Sequence, residues 1–182
     1  AKAFDTVVHA KLLQKCSAYG FKGHLYGYLC AFILNRRQRV IINGTPSTWT
    51  DVASGFAQGS VLGPLLFLLF VNDAPDIILN SRVALYADDT KMSRAAPQQV
   101  QSCPLLHEDI NGLYGWTSDW QLMLNEEKCQ VLRVGEKQPS EGQGLPHYSI
   151  NSVDITTVTC VDDLGIRISS NLQYREHCAK VV

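Results

Sequence analysis

Apolar residues at helical spacing dominate the first third of the chain. The first set precedes Gly20, a residue suited to ending a helix, and predicts a helix from about His9 to Tyr19. A second stripe predicts another helix between Lys22 and Asn35. The residues that form the two stripes are Leu12, Leu13, Cys16 and Tyr19 in the first, and Leu25, Leu29, Phe32 and Ile33 in the second.

The pattern then changes to short β-rich runs. Gln38–Ile42 and Ser47–Val52 flank Asn43-Gly44, which predicts a hairpin because both turn residues tolerate a positive φ. A basic cluster stands at the mouth of this hairpin and consists of Arg36, Arg37 and Arg39. Two interpretations stay open for it: a solvated helix end, or a contact with nucleic-acid phosphates.

A glycine-rich loop leads into the most apolar segment of the chain. The loop, Ser54–Pro64, contains Gly55, Gly59 and Gly63, which serve either as turn residues or as points where a backbone approaches a ligand. Leu65–Asn72 is apolar on nearly every side, and this pattern predicts a buried helix.

Two adjacent carboxylates follow. Val83–Tyr86 and Thr90–Met92 read as strands on either side of Asp88-Asp89, so both acids are expected at one β-turn. Ordinary turn chemistry accounts for such a pair when it stands alone. The alternative is a divalent cation site, since two neighbouring anions repel each other unless a cation lies beside them, and Mg²⁺ prefers oxygen ligands.

The second half alternates between helix, loop and short strands. Gln98–Leu124 predicts a helical region, interrupted at Pro104 and Gly112. The remaining predictions are a strand at Lys128–Val134, a loop at Gly135–Pro146, and short strands within Tyr148–Val158 and Cys160–Ser169.

Composition adds a few limits. With 182 residues, 46% hydrophobic and 18% charged, the chain can form one globular domain, and its net charge of −1 gives no overall attraction to nucleic acid. Six scattered cysteines without a C-x-x-C pair indicate reduced thiols and an intracellular protein, with cytoplasm and nucleus not distinguished. Val61–Val71 is too short for the roughly 20 residues of a membrane span. The first residues lack Met and a leader, so we expect a fragment.

Four blocks in order resemble the reverse transcriptases of non-LTR (LINE-type, jockey-like) retrotransposons. Gln-Gly-Ser-Val-Leu-Gly-Pro, followed some twenty residues later by Tyr-Ala-Asp-Asp, is the specific combination. The resemblance covers nearly the whole chain. Its blocks are Ala1–Val7, Ser54–Phe67, Tyr86–Lys91, and Trp116–Asn125 with Lys128-Cys129.

The resemblance implies an α+β fold. A polymerase palm is expected, in which an antiparallel sheet carries the Asp-Asp hairpin and helices pack on one face. The implied division of this single domain fragment is partial fingers at about 11–54, palm at 1–10 and 55–134, and the start of the palm–thumb connection at 147–182.

The implied activity is RNA-directed DNA polymerisation by two-metal nucleotidyl transfer. Two Mg²⁺ ions are expected on Asp88 and Asp89, and the implied partners are an RNA template, a DNA primer and deoxynucleoside triphosphates, without a membrane. The family's third metal-binding Asp corresponds to a position two before Ala1, whereas Asp5 matches a later, non-catalytic Asp of the motif. We therefore expect the 182-residue piece alone to be inactive.

Further roles follow residue by residue. Phe4 matches the ring that crowds a ribonucleotide 2′-hydroxyl, with a plain core aromatic as the alternative. Gln58 and Gly59 match the loop that touches the incoming nucleotide and the template. Lys128 matches a lysine that assists the departure of pyrophosphate, and a solvated charge is equally compatible with its surroundings.

One departure from the family lies at Phe56-Ala57, where Val-Pro is usual, so the loop is expected to be looser here. Alternative functions are an inactive retroelement remnant, an RNA-binding module, or a group II intron-type reverse transcriptase. A nucleotide cyclase with a similar palm is disfavoured by Gln58-Gly59.

Overall fold

A computed structural model describes residues 3–95, 104–135 and 147–181. The chain divides into two compact units: unit 1 is Ala1–Ser93 with Gly112–Leu124, and unit 2 is Arg94–Asn111 with Asn125–Val182. The helices of the described residues are α1 (Ala3–Thr6), α2 (His9–Ala18), α3 (Gly23–Ile33), α4 (Leu62–Val71), α5 (Pro104–Asp119) and α6 (Arg175–Val181). Short 3₁₀ helices lie at Ala74–Ile77 and Glu126–Lys128.

The strands are short and pair two by two. In unit 1 they are β1 (Arg37–Gln38), β2 (Ile41–Ile42), β3 (Thr45–Pro46), β4 (Thr50–Asp51), β5 (Arg82–Tyr86) and β6 (Asp89–Ser93). In unit 2 they are β7 (Gln130–Leu132), β8 (Ser149–Ile150), β9 (Val153–Asp154), β10 (Thr156–Val158), β11 (Cys160–Asp163) and β12 (Ile166–Ser169). The described pairs are antiparallel except β7 with β10, which is parallel.

Helices and small sheets together confirm the predicted α+β class. The expected single antiparallel sheet is not found among the described strands, whose pairs do not join one another. Strands of two to five residues leave little edge for a third strand. Of the described helices, none combines the length and apolarity needed to cross a bilayer.

Helix α2 ends where the sequence predicted. The amide of Phe21 donates to the carbonyl of Cys16 (3.0 Å), and Gly20 adopts a φ of 88°, so a glycine terminates the helix at low conformational cost. The apolar face of α2 packs into the core of unit 1 with α3, α4 and the end of α5. Fully buried members of this core are Val7, Leu12, Cys16, Ile33, Leu66, Phe67 and Phe70.

Helix α4 differs from its prediction. Leu66, Phe67 and Phe70 are buried, whereas Leu65 and Leu68 are 53% and 57% exposed. The prediction of burial on all sides was therefore wrong, because the described residues of unit 1 cover one face of the helix. Uniform apolarity does not reveal which face is covered.

The segment between α3 and α4 forms an exposed two-stranded arm, residues 37–51, which we call the β arm. Asn43 (φ 49°) and Gly44 (φ 80°) form its tip, confirming the hairpin predicted from Asn-Gly. Arg37 lies opposite Asp51, but Ile41 lies opposite Pro46, so the returning strand contains one extra residue. This is the arrangement of a β-bulge, which twists and bends a ribbon.

Two predictions for the second half of the chain were wrong. Helix α5 runs unbroken through Gly112, because Pro104 stands at its first position, where a missing amide is tolerated, and one glycine costs only about 1 kcal/mol. Lys128 ends a 3₁₀ helix instead of beginning a strand, and the strand starts at Gln130. Short strands at 149–169 are as predicted, while most of the predicted loop Gly135–Pro146 and residues 98–103 lie outside the described residues.

Candidate functional site

Two of the sequence blocks are joined through their backbones. The amide of Gly55 donates to the carbonyl of Val7 (2.8 Å), and the amide of Phe56 donates to the carbonyl of Phe4 (3.2 Å). The hydroxyl of Ser54 donates to the carbonyl of Asp5 (2.8 Å). Helix α1 with the residue that follows it and the chain before the Gln58 loop therefore lie side by side, although about fifty residues separate them in sequence.

Gly55 is required at this junction. Its φ is 75°, and a Cβ atom built there would lie 2.6 Å from the Cα atom and 2.7 Å from the carbonyl oxygen of Asp5. Backbone atoms cannot move aside as a flexible side chain can. The glycine-rich loop thus contains at least one glycine needed for close approach, here to the backbone of Asp5. Approach to a ligand, one of the two interpretations of the sequence, stays a prediction.

Two further polar side chains hold the same junction. The Nε2 atom of His9 lies 2.8 Å from the carbonyl oxygen of Gly55, and the guanidinium of Arg36 donates to that same oxygen. Arg36 also donates to the carbonyl of Ile33 (3.1 Å). Half-buried Arg36 is thus engaged within the chain, and His9, which is 5% exposed, was missed from the sequence because its partner is 46 residues away.

Phe4 occupies the apolar side of the junction. Its ring stacks on Phe67 (centroids 4.4 Å apart, 20° between planes) and meets Phe56 edge-on at 6.3 Å. Phe56 is itself buried, so the Phe-Ala departure from the usual Val-Pro supplies a ring to the core. Phe4 remains half-buried, which makes it both a packing residue and a ring that reaches the surface.

The Gln58–Gly59 loop follows directly. The side-chain amide of Gln58 donates to Oδ1 of Asp5 (3.0 Å), and both groups are exposed at this contact. Gly59 has a φ of 78° with open space around it. The hydroxyl of Ser60 accepts from the amide of Gly63 (3.1 Å) and so fixes the entry into α4. Asp5 therefore orients Gln58. That its role is structural and not metal-binding stays a prediction.

Asp88 and Asp89 lie at the turn between β5 and β6. Tyr86 pairs with Asp89, which leaves Ala87 and Asp88 as the turn residues. Ala87 has a φ of 51°, a conformation that costs an alanine about 1 kcal/mol or more. Both carboxylates are exposed, whereas Met92 of β6 packs against the core. The hairpin thus presents two neighbouring acids on a strained turn anchored at its other end.

The donor set is compatible with Mg²⁺ bound partly by substrate. Among the residues that the structure describes, no group of three or more His, Cys, Asp or Glu side chains is placed to hold a metal ion. Mg²⁺ is commonly bound through one or two carboxylates together with substrate phosphates and water. Asp88 and Asp89 fit that manner of binding, while a cage made entirely of protein groups would need more ligands.

The other predicted site residues lie elsewhere in the fold. Arg37 pairs with Asp51 (3.5 Å), and the guanidinium of Arg39 lies over the ring of Trp49 (4.7 Å), so both belong to the β arm. Lys128 is exposed in unit 2. Its role in pyrophosphate departure stays a prediction.

Comparisons with known proteins give one consistent result. Residues 1–168 match the family model described as reverse transcriptase (RNA-dependent DNA polymerase). The chain belongs to the reverse transcriptase family. Within it, the chain is 28% identical over 191 residues to the RNA-directed DNA polymerase from mobile element jockey of Drosophila melanogaster, with 99% of this chain and 20% of that protein covered.

Two further relatives come from the same group of mobile elements. Identity is 26% over 183 residues to the jockey polymerase of Drosophila funebris, covering 97% of this chain and 19% of that protein. The chain is also 32% identical over 144 residues to a Drosophila melanogaster protein described as a probable RNA-directed DNA polymerase from transposon BS. This match covers 73% of this chain and 16% of that protein. This reverse transcriptase segment thus spans about a fifth of the curated relatives it matches. The resemblance to jockey-like, non-LTR retrotransposon enzymes is confirmed.

Proposed function

We propose that the chain is a catalytic segment of an RNA-directed DNA polymerase of a non-LTR retrotransposon, with Asp88 and Asp89 as its metal-binding acids. The observation that supports this most directly is an exposed pair of carboxylates on a strained turn, within a chain matched to the reverse transcriptase family over residues 1–168. The partners we propose are an RNA template, a DNA primer and deoxynucleoside triphosphates. The fingers and palm subdivision predicted from the sequence forms part of the same proposal.

The chemistry assigns each group a task. Asp88 and Asp89 would hold Mg²⁺, which when bound would lower the pKa of the primer 3′-hydroxyl and stabilise the leaving pyrophosphate. The turn makes the two acids neighbours in the chain and exposes both carboxylates. Gln58, oriented by Asp5, positions the nucleotide or template through its remaining amide hydrogen and carbonyl oxygen. Lys128 is the proposed cation for the departing pyrophosphate.

Phe4 is proposed to select the sugar. Stacking on Phe67 and edge contact with Phe56 restrict the orientation of its ring. A ring held in place by two others cannot move away from an extra hydroxyl, so a ribonucleotide would meet steric resistance that a deoxyribonucleotide avoids.

Asp88→Asn is expected to lower primer extension with Mg²⁺ by about 100-fold or more, because metal binding supplies several kcal/mol of transition-state stabilisation. The assay uses an RNA template, a DNA primer and deoxynucleotides, with a protein that contains this chain. Asp119→Asn, at the exposed end of α5, is the matched control and should leave the rate unchanged. Equal activity of Asp88→Asn and wild type would contradict the assignment.

The 182-residue chain offers a second readout that does not need turnover. Mn²⁺, a paramagnetic substitute for Mg²⁺, should broaden the amide resonances of residues 86–90 more strongly when a deoxynucleoside triphosphate is present, since substrate phosphates complete the coordination. Asp88→Asn with Asp89→Asn should abolish this broadening. An inactive remnant that only binds RNA would show none in the wild type either.

Phe4→Ala is expected to raise the use of ribonucleotides relative to deoxyribonucleotides by roughly 10-fold or more, because the steric contact is lost. The measured quantity is the ratio of the two kcat/KM values in one preparation. A partly unfolded variant changes both values equally, so the ratio separates sugar selection from the packing role of Phe4. A ratio equal to that of the wild type would leave Phe4 as a core residue alone.

A further inference from the structure

The β arm exposes an unusual amount of apolar surface. Every residue from 37 to 51 is exposed, and the large apolar residues among them are Val40, Ile41, Ile42 and Trp49, at 62%, 58%, 66% and 50%. An isolated two-stranded ribbon is only marginally stable in water, and clustered apolar surface marks a binding site. The arm therefore has the character of a surface that a partner covers.

One face of the arm combines this apolar surface with cations. Alternate residues of a strand share a face, which places Arg37, Arg39 and Ile41 together. Asp51 lies opposite Arg37. The returning strand is bulged before Thr50, so the face of Trp49 is given by its contacts with the two arginines. The guanidinium carbons of Arg39 and Arg37 are 4.7 Å and 5.7 Å from the centre of the Trp49 ring. Half of the Trp49 surface nevertheless stays open to solvent.

An aromatic ring between guanidinium groups suits one class of partner. Single-stranded nucleic acid binds where a ring stacks on a base and neighbouring cations meet the phosphates, and it does so with little sequence preference. A guanidinium plane also stacks on bases. A second copy of the chain is the weaker candidate, because this face would have to bury the charge of Arg39 against a partner carrying the same charge.

We propose that this face of the β arm binds a single-stranded polynucleotide, with Trp49 as the stacking platform and Arg39 as the phosphate contact. Arg37 is not counted as a contact, because it pairs with Asp51 (3.5 Å) on the same face. The proposal rests on the proposed polymerase function, whose template or primer supplies the strand. It adds Trp49 to the residues that contact nucleic acid. Arg36 is left out of the contact, because its guanidinium is engaged with Gly55 and Ile33.

The test measures the affinity of the 182-residue chain for a fluorescein-labelled oligouridylate by anisotropy. Trp49→Ala is expected to weaken binding roughly 5- to 100-fold, since one base loses its stacking partner, whereas Trp49→Phe keeps most of the affinity. Arg39→Gln should reduce the slope of log K against log salt by about 1. Tyr28→Ala and Arg175→Gln replace an exposed aromatic and an exposed arginine outside the arm and should change nothing.

Tryptophan fluorescence supplies an independent readout. Trp49 is exposed, whereas Trp116 is buried and Trp120 packs against the core, so quenching by the oligonucleotide should come from Trp49 and disappear in Trp49→Phe. Inorganic polyphosphate should bind equally well to wild type and Trp49→Ala, because it has no base to stack. Unchanged oligouridylate affinity in Trp49→Ala overturns the proposal. A second result would also overturn it: without oligonucleotide, Trp49 fluorescence becomes less sensitive to acrylamide quenching as the protein concentration rises. That result would indicate that a second copy of the chain covers Trp49.

The two proposals fail separately. Asp88→Asn lies outside the arm and should leave oligouridylate affinity unchanged while it abolishes extension. If extension depends on Asp88 but affinity does not depend on Trp49, the arm proposal falls alone. If affinity depends on Trp49 but extension does not depend on Asp88, the polymerase assignment falls and the arm remains a nucleic-acid site.

Discussion

Gly55→Ala is expected to lower the free energy of unfolding by about 4 kcal/mol or more, which places it among the largest single-residue effects in a domain of this size. Two costs add. A left-handed φ strains any residue with a Cβ by about 1 to 3 kcal/mol. The new methyl group would also lie 2.6 Å from the Cα atom of Asp5, and relieving that overlap separates the two joined segments.

Gly59→Ala is the matched control for this effect. Its φ of 78° nearly equals the 75° of Gly55, but a Cβ there would meet no atom within 4 Å. Only the conformational strain remains, so Gly59→Ala is expected to lower the free energy of unfolding by about 1 kcal/mol. Urea unfolding of both variants, followed by circular dichroism, measures the difference. Equal losses would show that close approach to Asp5 contributes nothing.

Asp73→Ala is expected to destabilise the chain far more than Lys15→Met, although the two residues form one ion pair. Lys15 is 3% exposed, and its ammonium donates to the carbonyl of Phe70 (2.6 Å) and to Asp73. Removing Asp73 leaves a buried cation without this partner and is expected to lower the free energy of unfolding by about 2 kcal/mol. A pair buried on both sides would lose more, because the partly exposed Asp73 is screened by solvent. Removing Lys15 leaves a carboxylate that water can reach, and Met fits the aromatic surroundings.

Those surroundings explain why a lysine is tolerated here. The ammonium lies 3.9 Å from the ring centre of Trp120 and 4.5 Å from that of Trp116, so two ring faces attract it. A double-mutant cycle with Lys15→Met and Asp73→Ala isolates the pair from the rings. If each single substitution cost the same, the buried charge would not be the source of the effect.

The same lysine predicts a pH dependence of known sign. Burial lowers the pKa of Lys15 below 10.5, and the opposing contribution of Asp73 is smaller. Between the folded pKa and 10.5 the unfolded chain binds more protons, so this group makes the free energy of unfolding rise with pH in that window. Subtracting the pH profile of Lys15→Met from that of the wild type should reveal the rise. A flat difference would show that Lys15 keeps an ordinary pKa.

Local signals predicted the local features of this fold. Gly20 marked the end of α2, Asn43-Gly44 marked the tip of the β arm, and the spacing of apolar residues located α2 and α3, because these features depend on neighbours a few residues away. Helices α1 and α6 were not predicted. Lys15 lies three residues after Leu12, on the apolar face of α2, and that position alone hinted at burial. Its partners Phe70 and Asp73 are 55 and 58 residues away, and no periodicity reports such contacts.

The site shows the same division. Asp88-Asp89 and Gln58-Gly59 were selected from motif resemblance, and their roles stay predictions. The same resemblance assigned Asp5 a structural role. The contacts of His9 and Arg36 with the Gly55 carbonyl could not be predicted, because every residue has a backbone carbonyl and the sequence does not show which one a distant side chain contacts. Helix α4 was misjudged for a related reason: composition reports how apolar a face is, whereas exposure depends on what packs against it.

The joint between residues 4–8 and Ser54–Phe56 includes two main-chain hydrogen bonds, with the amides of Gly55 and Phe56 as donors. Hydrogen bonds of this kind are indifferent to the side chains attached to them. Phe56-Ala57 can therefore replace the usual Val-Pro without changing the alignment of the two segments. Substitution in these blocks is restricted most at Gly55, where a Cβ atom would overlap the backbone of Asp5. Retroelement copies that diverge widely at neighbouring positions can for this reason preserve the same backbone junction.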